Sequence, residues 1–176
     1  MRKWFKPALL LLLVPIMAAA FTFPAFASAN YGAGTVRGDQ TYSLEQMLTI
    51  AMQDEYLAGA RYKAVISKFG RQRPFINIEA SERTHAMALK SLFRKHDIPV
   101  PENAAAQYVT VPGTLVEAIK DAINSERLTV HMYDIFLSHN LPNDVKLTFT
   151  FVRNAAENHV EAFERVIART ESVTRR

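Results

Sequence analysis

With 176 residues and an apolar fraction of 49%, the chain is long enough for one domain with a substantial hydrophobic core. It contains no cysteine, which excludes disulfides, thiolate metal sites and thiol catalysis, so any metal must be held by oxygen and nitrogen atoms. The net charge is +4, but three of the 21 basic residues (Arg2, Lys3 and Lys6) belong to a predicted export signal. Without them, 18 basic residues stand against 17 acidic ones, so the charge of the chain indicates no nucleic-acid partner.

The amino terminus has the three parts of a secretory signal. A basic start is followed by an apolar run from Ala8 to Phe23 and by the small-residue motif Ala25-Phe26-Ala27. We predict cleavage after Ala27, with Ala29 as the second choice, and therefore a secreted or periplasmic protein.

An uncleaved membrane anchor is the alternative interpretation of this segment. Pro15 interrupts the apolar run, which is also shorter than the ~20 apolar residues that a spanning helix needs. We therefore expect no stable insertion into a membrane after cleavage. The predicted organisation is a signal peptide at 1–27, a flexible leader rich in Gly, Ser and Asn at 28–42, and a helical domain at 43–172.

Four segments of this domain have helical periodicity with recognisable starts and stops. The capping boxes Ser43-x-x-Gln46 and Thr114-x-x-Glu117 open the first and third helices, and Gly70 ends the first. Prolines precede and follow the second helix and also precede the fourth. The predicted helices cover residues 43–69, 75–96, 114–138 and 143–170.

The connections between the helices predict the topology. Those after the first and third helices are only a few residues long, so each of these pairs must form an antiparallel hairpin. The connection at 97–113 could stretch to roughly 50 Å, whereas a helix of about 20 residues is only ~30 Å long. The sequence therefore predicts an all-α, ferritin-like four-helix bundle, in which one long crossover joins two hairpins.

Charged residues interrupt the apolar stripe of every predicted helix. Because residues three, four and seven apart share one helical face, these side chains should point toward the bundle axis. They are Glu55 in the first helix, Glu82 and His85 in the second, Glu126 in the third and His159 in the fourth. Three other carboxylates lie off the inward faces and are expected in solvent: Glu79, Glu157 and Glu161.

Burying three carboxylates and two imidazoles without partners would cost several kcal/mol for each charge. A metal ion would remove that cost, and the i, i+3 pair Glu82 and His85 can direct two ligands from one helix at one ion. Oxygen and nitrogen donors of this kind suit iron first, with manganese or zinc as alternatives. The alternative without metal is a buried ion pair between Glu82 and His85.

A weak internal repeat relates the two hairpins. Tyr62 follows Glu55 by seven residues in the first helix, and Tyr133 follows Glu126 by seven in the third. Taken singly, Glu55 and Glu126 could instead be core carboxylates hydrogen-bonded to the hydroxyls of Tyr133 and Tyr62. Taken together, two similar hairpins facing one another would build a pseudo-symmetric metal site.

Several stretches of the chain resemble the ferritin-like superfamily and, within it, a bacterial family known only as a domain of unknown function. The resemblance extends from about Ser43 to Val166 and is carried by Asp54 to Ala58, Asn77 to His85, Glu157 to His159, and Ala162-Phe163. It implies a carboxylate-bridged di-iron centre with the ligands Glu55, Glu82, His85, Glu126 and His159. The superfamily pattern has Glu three residues before the last His, where this chain has Ala156, so mononuclear and dinuclear sites both stay open.

The leading functional hypothesis is an exported metal-binding protein that holds iron, with oxidation of Fe(II) or consumption of peroxide or oxygen as its candidate activity. Two hypotheses compete with it. One is a metal-free helical module that binds a partner at the cell envelope, and the other is a non-redox protein for zinc or manganese. The sequence leaves open whether the protein is an enzyme and whether it forms an oligomer.

Overall fold

The computed structural model describes residues 30–174, and the predicted signal peptide lies outside them. Within this range the chain forms four long α-helices and no β-strand, as predicted. They are α1 (Leu44–Phe69), α2 (Phe75–Lys95), α3 (Leu115–Leu137) and α4 (Asn143–Thr174). The observed bounds agree with the predicted ones to within one residue except at the end of α4, which continues past residue 170.

The local signals in the sequence begin and end these helices. The Ser43 hydroxyl accepts a hydrogen bond from the backbone N–H of Gln46, whose side chain accepts one from the N–H of Ser43. Thr114 and Glu117 form the same reciprocal pair at the start of α3. Both boxes satisfy backbone donors that have no partner within the helix. At the end of α1, Gly70 has a φ of +83°, a conformation that side chains disfavour.

Contacts across the bundle confirm the two hairpins and the crossover. α1 runs antiparallel to α3, because Tyr62 contacts Glu126 while Glu55 contacts Tyr133. Since α1 is also antiparallel to α2, the helices α2 and α3 are parallel, and the connection between them must run the length of the bundle. Its far end lies beside the end of α1, where Lys68 donates a hydrogen bond to the carbonyl of Pro112.

The core of the bundle contains two large apolar clusters with a polar layer between them, and a third, smaller cluster includes a residue of the segment before α1. One cluster packs Met52, Leu89, Phe136 and Phe149, together with their neighbours, at one end of the bundle. The other packs Tyr62, Phe75, Ile119 and Phe163 at the opposite end. Each large apolar side chain contributes ~1.5–3 kcal/mol on burial, so both clusters hold the helices at fixed depth. The charged residues of the intervening layer are therefore positioned by the packing above and below them.

The expectation of a flexible leader does not hold for residues 31–42. Gly32–Thr35 form a short 3-10 helix, and four apolar side chains of this segment are buried: Tyr31, Ala33, Val36 and Tyr42. The backbone N–H of Ala33 donates a 2.9 Å hydrogen bond to Asp54 of α1. Tyr31 stacks on Tyr108 of the crossover, with ring centroids 4.6 Å apart. We call residues 31–42 the strap, because apolar burial and this hydrogen bond hold them against the bundle.

Candidate metal centre

All five predicted ligands meet in the polar layer of the core. Helical periodicity brings each one to the inward face of its helix, and the two apolar clusters set their depth. None is more than 8% exposed: they are Glu55, Glu82, His85, Glu126 and His159. The sequence-based prediction that these side chains come together from four separate helices agrees with this placement.

The first half of the cluster joins α1 and α2 around one imidazole. Nδ1 of His85 lies 2.9 Å from Oε2 of Glu82 and 3.3 Å from Oε2 of Glu55. The other ring nitrogen, Nε2, is 3.1 Å from the hydroxyl of Ser81. Because Ser81 is hydrogen-bonded to Nε2, it orients the imidazole ring of His85 with Nδ1 toward the two carboxylates.

The second half joins α2, α3 and α4 around the other imidazole. Nδ1 of His159 lies 3.2 Å from Oε1 of Glu82 and 3.3 Å from Oε2 of Glu126. The two histidine rings are nearly parallel, with centroids 5.8 Å apart. Glu82 therefore touches both imidazoles, one with each of its carboxylate oxygens, and is common to the two halves.

The donor atoms of each half are close enough to surround a single cation. One potential ligand atom from each of Glu55, Glu82 and His85 lies within 4.8 Å of the others, and the same holds for Glu82, Glu126 and His159. Oε2 of Glu55 and Oε1 of Glu82 are buried and make no hydrogen bond within residues 30–174, although each lies within ion-pair distance of an imidazole. Buried carboxylate oxygens without a hydrogen bond are costly, and a bound cation would satisfy them.

Two tyrosines hold the outer oxygens of the carboxylates. The Tyr62 hydroxyl donates a 2.5 Å hydrogen bond to Oε1 of Glu126, and the Tyr133 hydroxyl donates one of 3.3 Å to Oε1 of Glu55. These are the tyrosine contacts of the alternative interpretation, in which Glu55 and Glu126 are core carboxylates. They leave Oε2 of each carboxylate facing the histidines, so hydrogen bonding to tyrosine and binding of a cation are compatible.

Burial and mutual repulsion separate the pKa values of the three carboxylates. Desolvation raises the pKa of Glu55 well above its ordinary value, and the nearby charge of Glu82 raises it further. Desolvation and the charge of Glu82 also raise the pKa of Glu126, to about 7. For Glu82 the desolvation is outweighed by the close contacts of its two oxygens with the imidazoles of His159 and His85, which lower its pKa to about 2.

The histidines shift in the complementary direction. Burial by itself would lower their pKa values, but the adjoining carboxylates outweigh it and raise the pKa of His85 to about 10 and that of His159 to about 9. Protons on the imidazoles therefore neutralise the cluster when no cation is bound. A cation that uses these nitrogens must displace those protons.

A small apolar residue fills the position at which the ferritin-like resemblance implies a carboxylate. Ala156 is 2% exposed and lines a cavity of about 10 Å³ together with all five candidate ligands. Its neighbour Glu157 is exposed and pairs with Arg153, so it does not replace the missing ligand. The site consequently has three carboxylates and two imidazoles.

Two acidic residues near the site were missed or misplaced by sequence reasoning. Glu79 was expected in solvent but is only 8% exposed, because it lies between α1 and α2, one turn before Glu82. Asp54 was given no role, yet it accepts hydrogen bonds from Ala33 and from the hydroxyl of Thr129. No local signal in the sequence distinguishes Asp54, because its partners Ala33 and Thr129 lie 21 and 75 residues away in the chain.

Comparison with solved structures gives one counterpart for the fold. The crystal structure of hypothetical protein MJ0754 from Methanococcus jannaschii DSM 2661 superposes with a TM-score of 0.66 and 23% identity, over 75% of this chain and 85% of that one. At this identity the likeness establishes the fold alone. No protein-family profile matches the chain, and no curated protein matches it. Among the described residues, no helix is long and apolar enough to cross a membrane.

Proposed function

We propose that this chain is an exported, ferritin-like metal-binding protein whose interior site holds two ions bridged by Glu82. The observation that carries the proposal is the arrangement of two ligand triads that share this residue. The buried carboxylate oxygens without hydrogen bonds support it, because within residues 30–174 each has only an ion-pair contact of 3.2–3.3 Å with an imidazole nitrogen, and a cation would bind them more closely. His85 completes one triad and His159 the other.

The charge of the cluster favours two divalent ions. Three carboxylates would offset three of the four positive charges, and both imidazoles would bind as neutral ligands. Carboxylate oxygen with imidazole nitrogen, without thiolate, is a donor set for iron, and manganese or zinc are the alternatives. Each ion would have three protein ligands, so water, oxygen or peroxide could complete its coordination.

We further propose that the site oxidises Fe(II) with oxygen or peroxide. Bound iron would supply the electrons, and the residues of this chain would hold and orient it. Glu82 would fix the separation of the two ions, while Tyr62 and Tyr133 would keep Glu126 and Glu55 in place. The apolar clusters would close the centre toward both ends of the bundle.

Metal stoichiometry of purified variants tests the binding proposal. We expect two ions per chain in the wild type, close to none in Glu82→Gln, and one in Glu55→Gln or Glu126→Gln, because each of these changes removes a ligand of one triad. Glu157→Gln, in which the change lies in solvent, is the matched control and should retain two. Elemental analysis of protein prepared without an affinity tag gives both the number and the identity of the ions.

The outcomes separate the proposed function from its competitors. A wild type that binds no Fe(II), Mn(II) or Zn(II), and whose melting temperature is unchanged by chelator, would support the metal-free module instead. Stoichiometric binding of zinc or manganese, with no ferric absorption after Fe(II) is added under air, would support the non-redox alternative. Ferric absorption that disappears in Glu82→Gln supports the oxidation chemistry.

Export is proposed from the predicted signal and is tested separately. Expression of the full chain in a bacterial host, followed by amino-terminal sequencing of the protein recovered outside the cytoplasm, should find Ser28 as the first residue. Retention of Met1 in the cytoplasmic fraction would contradict it. Neither result bears on metal binding by the helical domain.

A further inference from the structure

A groove between α1 and α2 connects the surface with the candidate metal centre. Its volume is about 710 Å³, and both Glu55 and Glu82 line it. The cavity beside Ala156, by comparison, is only about 10 Å³. The groove is therefore wide enough for a hydrated ion or a small molecule, and it reaches the two carboxylates that form the first ligand triad.

Glu79 lies along this groove and has no role in the ligand triads. It precedes Glu82 by three residues, so the two side chains are neighbours on one face of α2. Its Oε2 is 3.5 Å from Nη2 of Arg83, while Oε1 is buried and has no hydrogen-bond partner among the residues that the structure describes. A carboxylate that is 8% exposed, with one oxygen unsatisfied, is costly for the fold unless it serves a ligand.

Three carboxylates line the groove, and each of them has one oxygen that is buried and makes no hydrogen bond to any described residue. Oε1 of Glu79, Oε2 of Glu55 and Oε1 of Glu82 are all buried without a hydrogen-bond partner. Two of these oxygens belong to the ligand triads, and the third belongs to Glu79, one helical turn away. Oε2 of Glu55 and Oε1 of Glu82 face imidazole nitrogens of the centre, whereas Oε1 of Glu79 has no such neighbour among the contacts of the described residues.

We propose that Glu79 is an outer binding position for the divalent cation, from which the ion passes to the site of Glu55, Glu82 and His85. This inference rests on the proposed metal-binding function. Carboxylate oxygen suits a hard divalent ion, and a cation held at Glu79 can exchange water for the oxygens of Glu82 without leaving the groove. The step is an exchange of ligands at the ion and involves no redox change.

The cations around the groove explain why Glu79 would hold the ion only transiently. Lys63, Arg83 and Lys90 also line the groove, so their charge opposes that of the three carboxylates. Arg83 competes directly for Glu79, since its guanidinium is the partner of Oε2. On α1, Gly59 keeps the groove wide, because a Cβ added there would meet no atom within 4 Å.

Stopped-flow measurement of Co(II) uptake by the metal-free chain that remains after the predicted cleavage, residues 28–176, tests the proposal with the metal alone as the probe. Glu79→Gln should slow uptake by at least about fivefold, because it removes one unit of negative charge within about 4 Å of the entering ion. The final number of ions bound should equal that of the wild type. Arg83→Gln should load at least as fast as the wild type, since it removes the competing cation.

Two further variants complete the design. Glu161→Gln is the matched control, because this carboxylate is exposed on α4 and outside the groove. Gly59→Leu narrows the groove by filling open space, and it should slow uptake without unfolding α1, in which leucine is the better helix former. A melting curve of each variant establishes that it is folded.

The results distinguish this inference from the proposed function. If the wild type binds no Co(II), the metal-binding proposal itself fails. If the wild type binds Co(II) and folded Glu79→Gln takes it up at the same rate, the role of Glu79 is wrong while the metal site stands. Loss of bound ions at equilibrium in Glu79→Gln would also overturn the inference, because it would make Glu79 a ligand of the final site.

Discussion

Tyr62 of α1 donates a 2.5 Å hydrogen bond to Glu126 of α3 inside the fully buried layer of the bundle. The reciprocal pair, from Tyr133 of α3 to Glu55 of α1, is longer at 3.3 Å. Both pairs follow from the seven-residue spacing of Glu and Tyr in two antiparallel helices, which places each tyrosine opposite the other helix's carboxylate. The α1–α3 interface is thus held by polar contacts that also orient two candidate ligands.

Removing the shorter of these bonds should destabilise the fold. Tyr62→Phe keeps the ring contacts with Phe75 and Phe163 but leaves Oε1 of Glu126 buried without its donor. We expect the free energy of unfolding to fall by about 1–3 kcal/mol in chelator, measured by urea denaturation. Tyr133→Phe, which loses the longer bond, is the comparison and should cost less. Equal stability of Tyr62→Phe and wild type would show that the bond contributes nothing.

Restoring a carboxylate at position 156 should make stability depend on metal. Ala156 is buried beside a cavity of only about 10 Å³, so Ala156→Glu adds a charge that has neither space nor a partner there. Without metal we expect a loss of roughly 3 kcal/mol or more. Added Fe(II) or Co(II) should recover much of it, as seen in melting curves. Ala156→Gln is the control of similar size, and it should show the loss with much less recovery.

The strap should be sensitive to a single added methyl group. Gly32 has a φ of +66°, and a Cβ there would lie 2.7 Å from Oδ1 and 2.9 Å from Cα of Asp54. Gly32→Ala should therefore lower the free energy of unfolding by about 1–3 kcal/mol. Gly38→Ala adds the same methyl group where nothing lies within 4 Å, and it should be within about 0.5 kcal/mol of wild type. Similar effects of the two changes in a urea titration would contradict the docked strap.

An ion-pair network at the start of α4 should contribute stability that is lost in acid. Hydrogen bonds to Lys95 and then His96 lower the pKa of Asp144 from its ordinary value of 3.8 to about 2. Because the folded state holds the proton less tightly, the contribution is fully present above about pH 4 and disappears as the pH falls through about 2. Asp144→Asn should be less stable than wild type at pH 7, and the two unfolding curves should converge near pH 2. A difference that is independent of pH would contradict this assignment.

The sequence predicted the helices because their signals are local. A capping box such as Ser43-x-x-Gln46 acts within one turn, and Gly70 ends its helix by a backbone conformation that few other residues adopt. The inward position of Glu55, Glu82 and His159 also follows from periodicity, since residues on one stripe share one environment. These features require no knowledge of the neighbouring helices.

The burial of Glu79 and the docking of the strap could not be predicted from such local signals. Glu79 lies off the inward stripe of α2, and it becomes buried because the neighbouring α1 covers that side of the helix. The strap has too few apolar residues to indicate a packed element by itself. Its anchor, Asp54, lies 21 residues away from Ala33, so the contact exists only when α1 is already formed.

The sequence by itself determined that four amphipathic helices carry carboxylates and imidazoles to one shared interior, since periodicity and capping depend on residues a few positions apart. Only the tertiary structure decided that Glu82 is the residue common to both triads and that a groove connects them with the surface. The relative depth and rotation of packed helices set those distances, and they depend on side-chain packing summed over the whole bundle.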